Sequence, residues 1–588
     1  MSTKPLIYNL MKSKFLCLML LIPVLTFSQI GINTDTPDSS SALEVASSTQ
    51  GFLPPRMSYD QMKAINNPAK GLIIYCTDCT DELGHLVVYN GELWHAIYEG
   101  CPSPGNCNEI TKYDPDCCPD DGGTATFDPT GTTFSPTITN ETELEAALAQ
   151  AYDLLTSYSW SVLAAEIISD NALKGGASQS DMIGLEFLDH QEIFSNNIEL
   201  NQIWNFFFAG YTRASYVMIK GQQLDSQTPN TLDLITEAIF LRAFYSMNLI
   251  KWFGNHPYIE GFDDNNNPHL QFRGENDMIF DCYGMLEHVI ANTDINFQGS
   301  YRTTFNNYTA KALLLKLIYD HLEVLDYSMA MNLFEEIKNS GVYSLDTNLD
   351  TLFSDEIPAV FEIDYTSDIP AWWECLLCTQ GNLLSKWQGI RNYMGPEYDT
   401  GHGLNIPSQE AFDSFENGDN RRAIAILDIT EWQQTHPSTT YGQSYEQTGY
   451  YMKKYLPKLG GNNGSNGGDP SLLHGNDIKM MRYAEILLIG AELYALDNRY
   501  FDALLNLNEV RARAGLPGIS SNNQQEILDA IFNERRSEFM GEGHRYFDLI
   551  HFNKAAQYID GFMNHHEIFP IPASFLETFG HMPQNNGY

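Results

Sequence analysis

The stretch "IFNERRSEFMGEGHRYFDLIHF", residues 531–552, sets Glu534, Arg535, Arg536, Glu538, Glu542, Arg545 and Asp548 among large apolar side chains. Ile527, Leu528 and Ile531 mark the buried stripe of a helix, for which Ser521-Asn522-Asn523-Gln524 offers a capping box. Continuing the stripe by three and four residues lands on Glu534, Arg535 and Glu538. Charges on an inward face must be paired, because an isolated buried charge costs several kcal/mol or more. Arg535 and Glu538 are spaced as an i, i+3 pair, and Gly541 and Gly543 predict where the helix ends. A glycosidase would instead need two carboxylates roughly 5 to 9.5 Å apart across an open cleft. The even mixture of arginine and carboxylate predicts a structural ion-pair network of Arg482, Glu485, Glu534, Arg535, Glu538, Glu542, Arg545 and Asp548, with no catalytic residue. Glu485 and Glu492, about 10.5 Å apart along one helix face, read as braces of the same kind.

Upstream, "MRYAEILLIGAELYALDNRYFDALLNLNEVRARAGLP" places Ala491, Tyr494, Ala503 and Leu507 at the small and large packing positions of a tetratricopeptide helix pair. Ala330, Phe334 and Ile337 repeat the second-helix pattern after a long helix from Tyr308 to Leu322. "LITEAIFLRAFYSMNLIKWFG" supplies another helix, and "ELEAALAQAYDLLTSY" opens the series. The fold class is therefore mostly α: a tetratricopeptide-like scaffold of helical pairs over residues 138–588, whose concave side would serve for docking. Long irregular insertions interrupt it, chiefly residues 355–475, and loops of that length in a compact domain are usually functional or disordered.

The 588-residue chain is 43% hydrophobic, enough for one large core and a smaller second unit. With 33 Lys and Arg against 75 Asp and Glu, its formal charge of -42 repels a phosphate backbone, so nucleic acid is no partner. Residues 1–29 read as an export signal: Lys12 and Lys14, the apolar run Phe15 to Leu25, then Thr26 to Gln29. Met11 before Lys12 is the more economical start. Cys17 lies inside the apolar run and does not read as a lipid-anchor cysteine.

Residues 30–100 form a small β-rich module. "GLIIYCTD" and "HLVVYNGELWHAIY" read as strands, with Asn90-Gly91 as a hairpin turn. Residues 101–137 are a linker rich in Cys, Pro and Gly. Export points to an oxidising compartment, making Cys76/Cys79, Cys101/Cys107 and Cys375/Cys378 candidate bridges. Cys117 and Cys118 are adjacent, and Cys282 stands alone. A zinc site from Cys76, Cys79, Cys101 and Cys107 is disfavoured on the same ground. His565-His566-Glu567 is a lone cluster before an apolar segment, and no motif implies a metal or cofactor.

Small-molecule sites combine aromatic platforms with a few convergent polar groups. Trp372, Trp373, Trp387, Tyr393, Tyr398 and Arg391 cluster in the long insertion and are the predicted ligand-binding residues. Lys386, Gln388 and Asn392 stand near them. Trp432, Tyr441 and Tyr445 form a second tier, while Trp160, Trp204 and Trp252 lie in helical patterns and read as core.

Over residues 138–588 the chain resembles the SusD/RagB family of outer-membrane nutrient-binding proteins. The matching stretches are "EAIFLRAFYSMNLIKWFGNHPYI", "YTAKALLLKLIYDHL", "NSGVYSL", "DNRR", "MRYAEILLIGAELYAL", "ALLNLNEVRARAGLP", "NERRSEFMGEGHRYFDL" and "IFPIPASFLETFGHMPQNNGY", in that order. The resemblance implies a non-enzymatic surface receptor, exported to the outer membrane. Such a receptor captures oligosaccharide for a SusC-like TonB-dependent transporter. A peptide ligand, as in the RagB branch, is the alternative; a glycan-active hydrolase or a surface adhesin ranks lower. The module containing "DSSSALEVASSTQGFLPPRMSYDQMKAINNPAKGLIIYCTD" resembles amino-terminal segments of secreted tail-fibre-like proteins of Bacteroidetes, and reads as a spacer, an oligomeriser or a second binding surface.

Overall fold

The computed structural model describes strands and turns between residues 30 and 96. It also describes residues 137–588, except 265, 298–304, 350, 354–358, 370–378, 462–468 and 580–581. The predicted export signal and linker lie outside these residues. The chain divides into two compact units, residues 1–121 and 122–588.

In the first unit Ile30–Ile32 pairs in parallel with Leu43–Val45. A separate four-stranded sheet runs in the order Arg56–Met57, Ile73–Cys76, His85–Tyr89, Trp94–Ala96. Ile73–Cys76 alternates exposed and buried positions, and Ile74 pairs directly with Val87. The last two strands form the expected hairpin, with Tyr89 paired to Trp94. Asn90-Gly91, the predicted turn between them, lies outside the described residues. Cys76 is disulfide-bonded, which removes it from a zinc ligand set.

The second unit is mostly helical. After α1 (Glu141–Asp153) and α2 (Tyr158–Ile167) come two long helices, α3 (Ile198–Gln222) and α4 (Pro229–Phe253). Thr228 accepts from the Thr231 N–H, and Pro229 occupies the first turn of α4, where its missing donor costs nothing. Helices α3 and α4 meet closely: a Cβ on Gly210 would fall 2.4 Å from the Tyr245 ring. Tyr245 in turn donates to the Ala151 carbonyl at 2.7 Å, tying α4 to α1.

The series continues with α5 (Glu275–Asn292), α6 (Asn307–Asp320) and α7 (Tyr327–Ser340), then α8 (Tyr483–Leu496), α9 (Tyr500–Arg513), α10 (Gln524–Phe539) and α11 (Arg545–His551). Ala491, Tyr494, Ala503 and Leu507 are all buried between α8 and α9, as are Ala330, Phe334 and Ile337 on α7. The Phe334 ring lies against Gly490, where a Cβ would come within 2.1 Å, so the small position of this pair is filled by glycine. Trp160, Trp204 and Trp252 are core. The cap of α10 is Asn523, which accepts from the Gln525 and Glu526 N–H groups, while Ser521 donates to Glu526. The helix ends at Phe539, and Gly541 and Gly543 then take positive φ of 83° and 80°. Among the described residues no helix is long and apolar enough to cross a membrane.

The insertion between α7 and α8 is held by strand pairs that join distant parts of the chain. Phe361–Ile363 runs antiparallel to Ile478–Met481, Leu404–Pro407 to Ala172–Gly175, and Ile426–Asp428 to Tyr450–Met452. Within it the backbone crosses itself, since a Cβ on Gly401 would lie 2.3 Å from the Gly389 Cα. These ties give the insertion its own apolar nucleus of Ile390, Tyr393, Tyr398, Ile406, Leu427, Ile429, Tyr451 and Leu456.

Candidate functional site

The acid-rich stretch at the carboxyl end fails the geometric test for catalysis. Glu538 is 2% exposed and bound by three guanidinium groups. Its Oε1 lies 2.7 Å from Arg482 Nη1, and its Oε2 meets Arg421 Nη1 at 3.1 Å and also Arg513 Nη2. Glu534 bridges Arg421 at 2.6 Å and Arg511 at 2.9 Å. Glu542 takes Arg482 and Lys454. Arg421 is also clamped by Asp419, and Arg511 by Glu416. Five cations, Arg421, Lys454, Arg482, Arg511 and Arg513, face five carboxylates, Asp419, Glu416, Glu534, Glu538 and Glu542. Burial by itself would raise the Glu538 pKa, but Arg513, Arg482 and Arg421 outweigh it and hold the carboxyl well below its usual range. A general acid needs the opposite shift.

The predicted Arg535–Glu538 pair does not form. Arg535 reaches Asp548 at 2.7 Å on α11 and stands 3.7 Å from Glu485 on α8. A fully buried Glu538 needs several donors, and the guanidinium three residues along its own helix is directed to other acids. Arg545 closes on Asp170 through two bonds of 2.6 and 2.8 Å, and Arg536 adds a third to the same carboxylate at 3.0 Å. Glu492 accepts from Tyr319 and contacts His551.

Sequence reasoning missed Asp170, Asp419, Glu416, Arg421, Lys454, Arg511 and Arg513 in these networks. "DNRR", residues 419–422, and "ALLNLNEVRARAGLP", residues 503–517, contain Asp419, Arg421, Arg511 and Arg513 and belong to the family pattern, but nothing in them pointed to these pairings. A cleft of about 680 Å³ is walled by Phe305, Tyr343, Tyr483, Lys479, Arg482 and Arg513 among others. The guanidinium side of the network borders it; Glu534, Glu538 and Glu542 do not line it.

The insertion presents a different surface. Of the six predicted ligand-binding residues, Trp372 and Trp373 lie outside the described residues. Trp387 is 2% exposed and packs on Trp160 with ring centroids 4.1 Å apart. It sits on a short helix, Leu383–Gln388, capped by Asn382, and its ring belongs to the scaffold core. Tyr393 and Tyr398 are likewise buried in the insertion's nucleus, with Tyr393 Oη donating to the Pro396 carbonyl at 2.8 Å. Burial leaves none of these three rings a free face. Arg391 is half-buried, and its carbonyl accepts from the Gly442 N–H at 2.7 Å.

The second tier lies nearer the surface. Trp432, Tyr441 and Tyr445 are half-buried. Trp432 Nε1 donates to Tyr393 Oη at 3.0 Å, and its ring stacks on His436 at 3.9 Å and contacts Tyr398 at 5.4 Å. Beneath this ring the buried tyrosines fix the orientation of a partly exposed platform. Met394 in the adjoining bridge is 69% exposed. Tyr445 lies over the Lys174 ammonium at 5.2 Å and reaches Glu186. Such a surface, apolar rings backed by fixed hydrogen bonds, can stack on a sugar without any reacting group. Among the described residues no three His, Cys, Asp or Glu side chains converge on a metal position.

Residues 415–569 match the SusD family, and residues 31–112 match a phage tail like trimerisation region. SusD-like protein P2 of Formosa agariphila is 25% identical over 341 residues, 53% of this chain and 64% of that protein. SusD-like protein P38 of the same organism is 32% identical over 124 residues, 19% of this chain. The matched stretches thus span 25% and 64% of the length of these two curated relatives. Among solved structures, a laminarin binding SusD-like protein is similar with a TM-score of 0.68 and 28% identity, over 77% of this chain and all of that one. Surface glycan-binding protein A from Bacteroides thetaiotaomicron in complex with laminarihexaose gives a TM-score of 0.67 and 26% identity, over 76% of this chain and 100% of that one.

Proposed function

We propose that this chain, SusD-like in its helical unit, is a non-catalytic cell-surface receptor that captures oligosaccharide and hands it to a SusC-like TonB-dependent transporter in the outer membrane. The observation that carries the reading is the division of labour within the helical unit. Glu534, Glu538 and Glu542, the acids at the centre of the carboxyl-end stretch, are each paired with buried arginine or lysine. The half-exposed aromatic surface stands instead on the insertion.

In this reading Trp432 is the central platform, and Tyr441, Tyr445, Arg391, Trp372 and Trp373 are further ligand contacts. Similarity to a laminarin binding SusD-like protein and to a surface glycan-binding protein in complex with laminarihexaose makes those glycans the first probes. The amino-terminal module assembles three copies of the chain, a reading supported by its match to a trimerisation region. Residues 1–29 act as the export signal, and residues 101–137 join the two units.

Calorimetric titration with laminarihexaose tests the capture reading. Micromolar-range binding by the wild type and at least a fivefold loss in Trp432→Ala are expected. Full retention of binding in Trp432→Ala would remove that ring from the site. Binding of peptides but not glycans would move the protein to the RagB-like alternative. For the delivery step, co-purification of a β-barrel partner from outer membranes is the expected result.

A further inference from the structure

The cleft bordered by the guanidinium side of the ionic network holds two buried polar atoms that the fold leaves unused. It lies where the start of α6, the segment after α7, the start of α8 and the end of α9 come together, and it encloses about 680 Å³. Small-ligand sites run to roughly 300–1,000 Å³ and combine apolar walls with a few converging polar groups. Phe297, Tyr343 and Tyr483, all half-buried, supply an aromatic wall. Tyr343 Oη lies 3.2 Å from Thr309 Oγ1 on α6, which fixes that ring. Trp432, Tyr441, Tyr445 and Arg391 do not line the cleft, so it is separate from the aromatic surface of the insertion.

Three cations line it, and two are committed elsewhere. Lys479 holds Glu362 at 2.8 Å, and all three guanidinium nitrogens of Arg482 are bound to Glu538 and Glu542. Arg513 differs. Its side chain is 4% exposed and its Nη2 binds Glu538, yet its Nε has no hydrogen-bond partner. Asp346, on the segment after α7, shows the complementary lack. Its Oδ1 accepts from the Asn348 N–H at 2.9 Å, while its Oδ2 is buried without a hydrogen-bond partner. Both residues line the cleft, and they do not satisfy each other. Buried donors and acceptors are nearly always paired, so two exceptions in one cleft call for a reason.

A ligand that meets both atoms must accept from a guanidinium N–H and donate to a carboxylate. An ionised acid cannot donate, and Asp346 repels it. An ammonium cannot accept, and it meets three cations. A hydroxyl does both, and a sugar ring carries several side by side. We propose that this cleft is a second saccharide site, in which hydroxyls of a neutral sugar unit engage Arg513 Nε and Asp346 Oδ2. The choice of a saccharide rests on the capture reading above; the place of the site does not. Glu538 already holds the Arg513 side chain, so binding there costs little further ordering.

Calorimetry and hydrogen–deuterium exchange on the full chain, with laminarihexaose and with glucose, test the site. The wild type is expected to bind two laminarihexaose molecules per chain, and either sugar to slow exchange at residues 342–347. Asp346→Ala removes the acceptor, and Ser344→Trp puts a bulky ring at an exposed position on the cleft wall. Each variant is expected to bind one laminarihexaose and to lose the slowing, with its thermal transition unchanged, whereas Trp432→Ala keeps the slowing. Slowing that persists in both cleft variants, or none in the wild type with either sugar at millimolar concentration, overturns the second site. A single binding event that Trp432→Ala removes also overturns it while leaving capture at the insertion standing. Slowing at 342–347 together with unchanged binding in Trp432→Ala supports the cleft and counts against the Trp432 platform.

Discussion

Arg482, at the start of α8, and Glu542, just beyond the end of α10, face each other through two parallel hydrogen bonds: Nε to Oε2 at 2.8 Å and Nη2 to Oε1 at 2.7 Å. The fork of the guanidinium matches the carboxylate, which gives such pairs their specificity as well as their strength. Arg482 Nη1 then continues to Glu538. A single side chain thus locks the entry of one scaffold helix onto the exit of another.

Glu538→Gln removes one negative charge from a buried, balanced set and leaves Arg421, Arg482 and Arg513 short of a partner. Breaking a buried ionic network from one side costs about 3–5 kcal/mol. Urea unfolding is expected to show a loss of that order, and a loss under about 1 kcal/mol would contradict the bracing role.

Trp387→Ala and Trp432→Ala are expected to separate. Trp387 fills core space against Trp160, so its truncation should cost about 3–5 kcal/mol of stability. Trp432 is half-exposed, so its truncation should act mainly on glycan affinity with a small stability change. Denaturation and glycan titration on both variants check this, and the reverse pattern would restore Trp387 to the ligand site.

His256 is buried with Nε2 2.7 Å from Ser246 Oγ and Nδ1 3.0 Å from the Pro257 carbonyl. Burial pushes its pKa down to about 3; the Pro257 bond opposes this, and Arg242, which is paired with Asp281, adds to it. Between the ordinary value of 6.5 and that folded value, the unfolded chain takes up a proton that the folded one refuses. Stability from this site is complete above pH 6.5 and declines by about 1.4 kcal/mol per pH unit as the pH falls. His256→Gln, though weaker at pH 7, should show a flatter profile between pH 6.5 and 4. Identical slopes would contradict the assignment.

Cys282 is buried and donates to Ser246 Oγ at 3.1 Å, and burial pushes its thiol up to about 12. Thiolate is the reactive form. Mass mapping after maleimide treatment at pH 8 should find Cys282 unlabelled in the folded chain and labelled in urea; labelling of the native state would contradict its burial.

The helical scaffold was legible because its signals are local. Ala491, Tyr494, Ala503 and Leu507 lie within seventeen residues of one another, and the stripe through Ile527 and Ile531 continues inward onto Glu534 and Glu538. Pairing was not legible. Glu538 finds Arg421, separated from it by 117 residues, because tertiary packing brings them together, whereas the spacing rule offered only Arg535. The insertion was hardest to read. Its strands form by pairing with remote partners, as Leu404–Pro407 does with Ala172–Gly175. Trp387 looks like a loop aromatic until Trp160, from α2, is set against it. Trp432 carried no stronger signal than Trp387, and only burial distinguishes them.

Isothermal titration of laminarihexaose into wild type and Glu538→Gln, at a temperature where both are folded, bears most directly on the receptor reading. Equal affinities are expected, with heat ending at saturation in both. Continuing reaction heat in the wild type that vanishes in the folded variant would instead make the buried acids a hydrolytic centre.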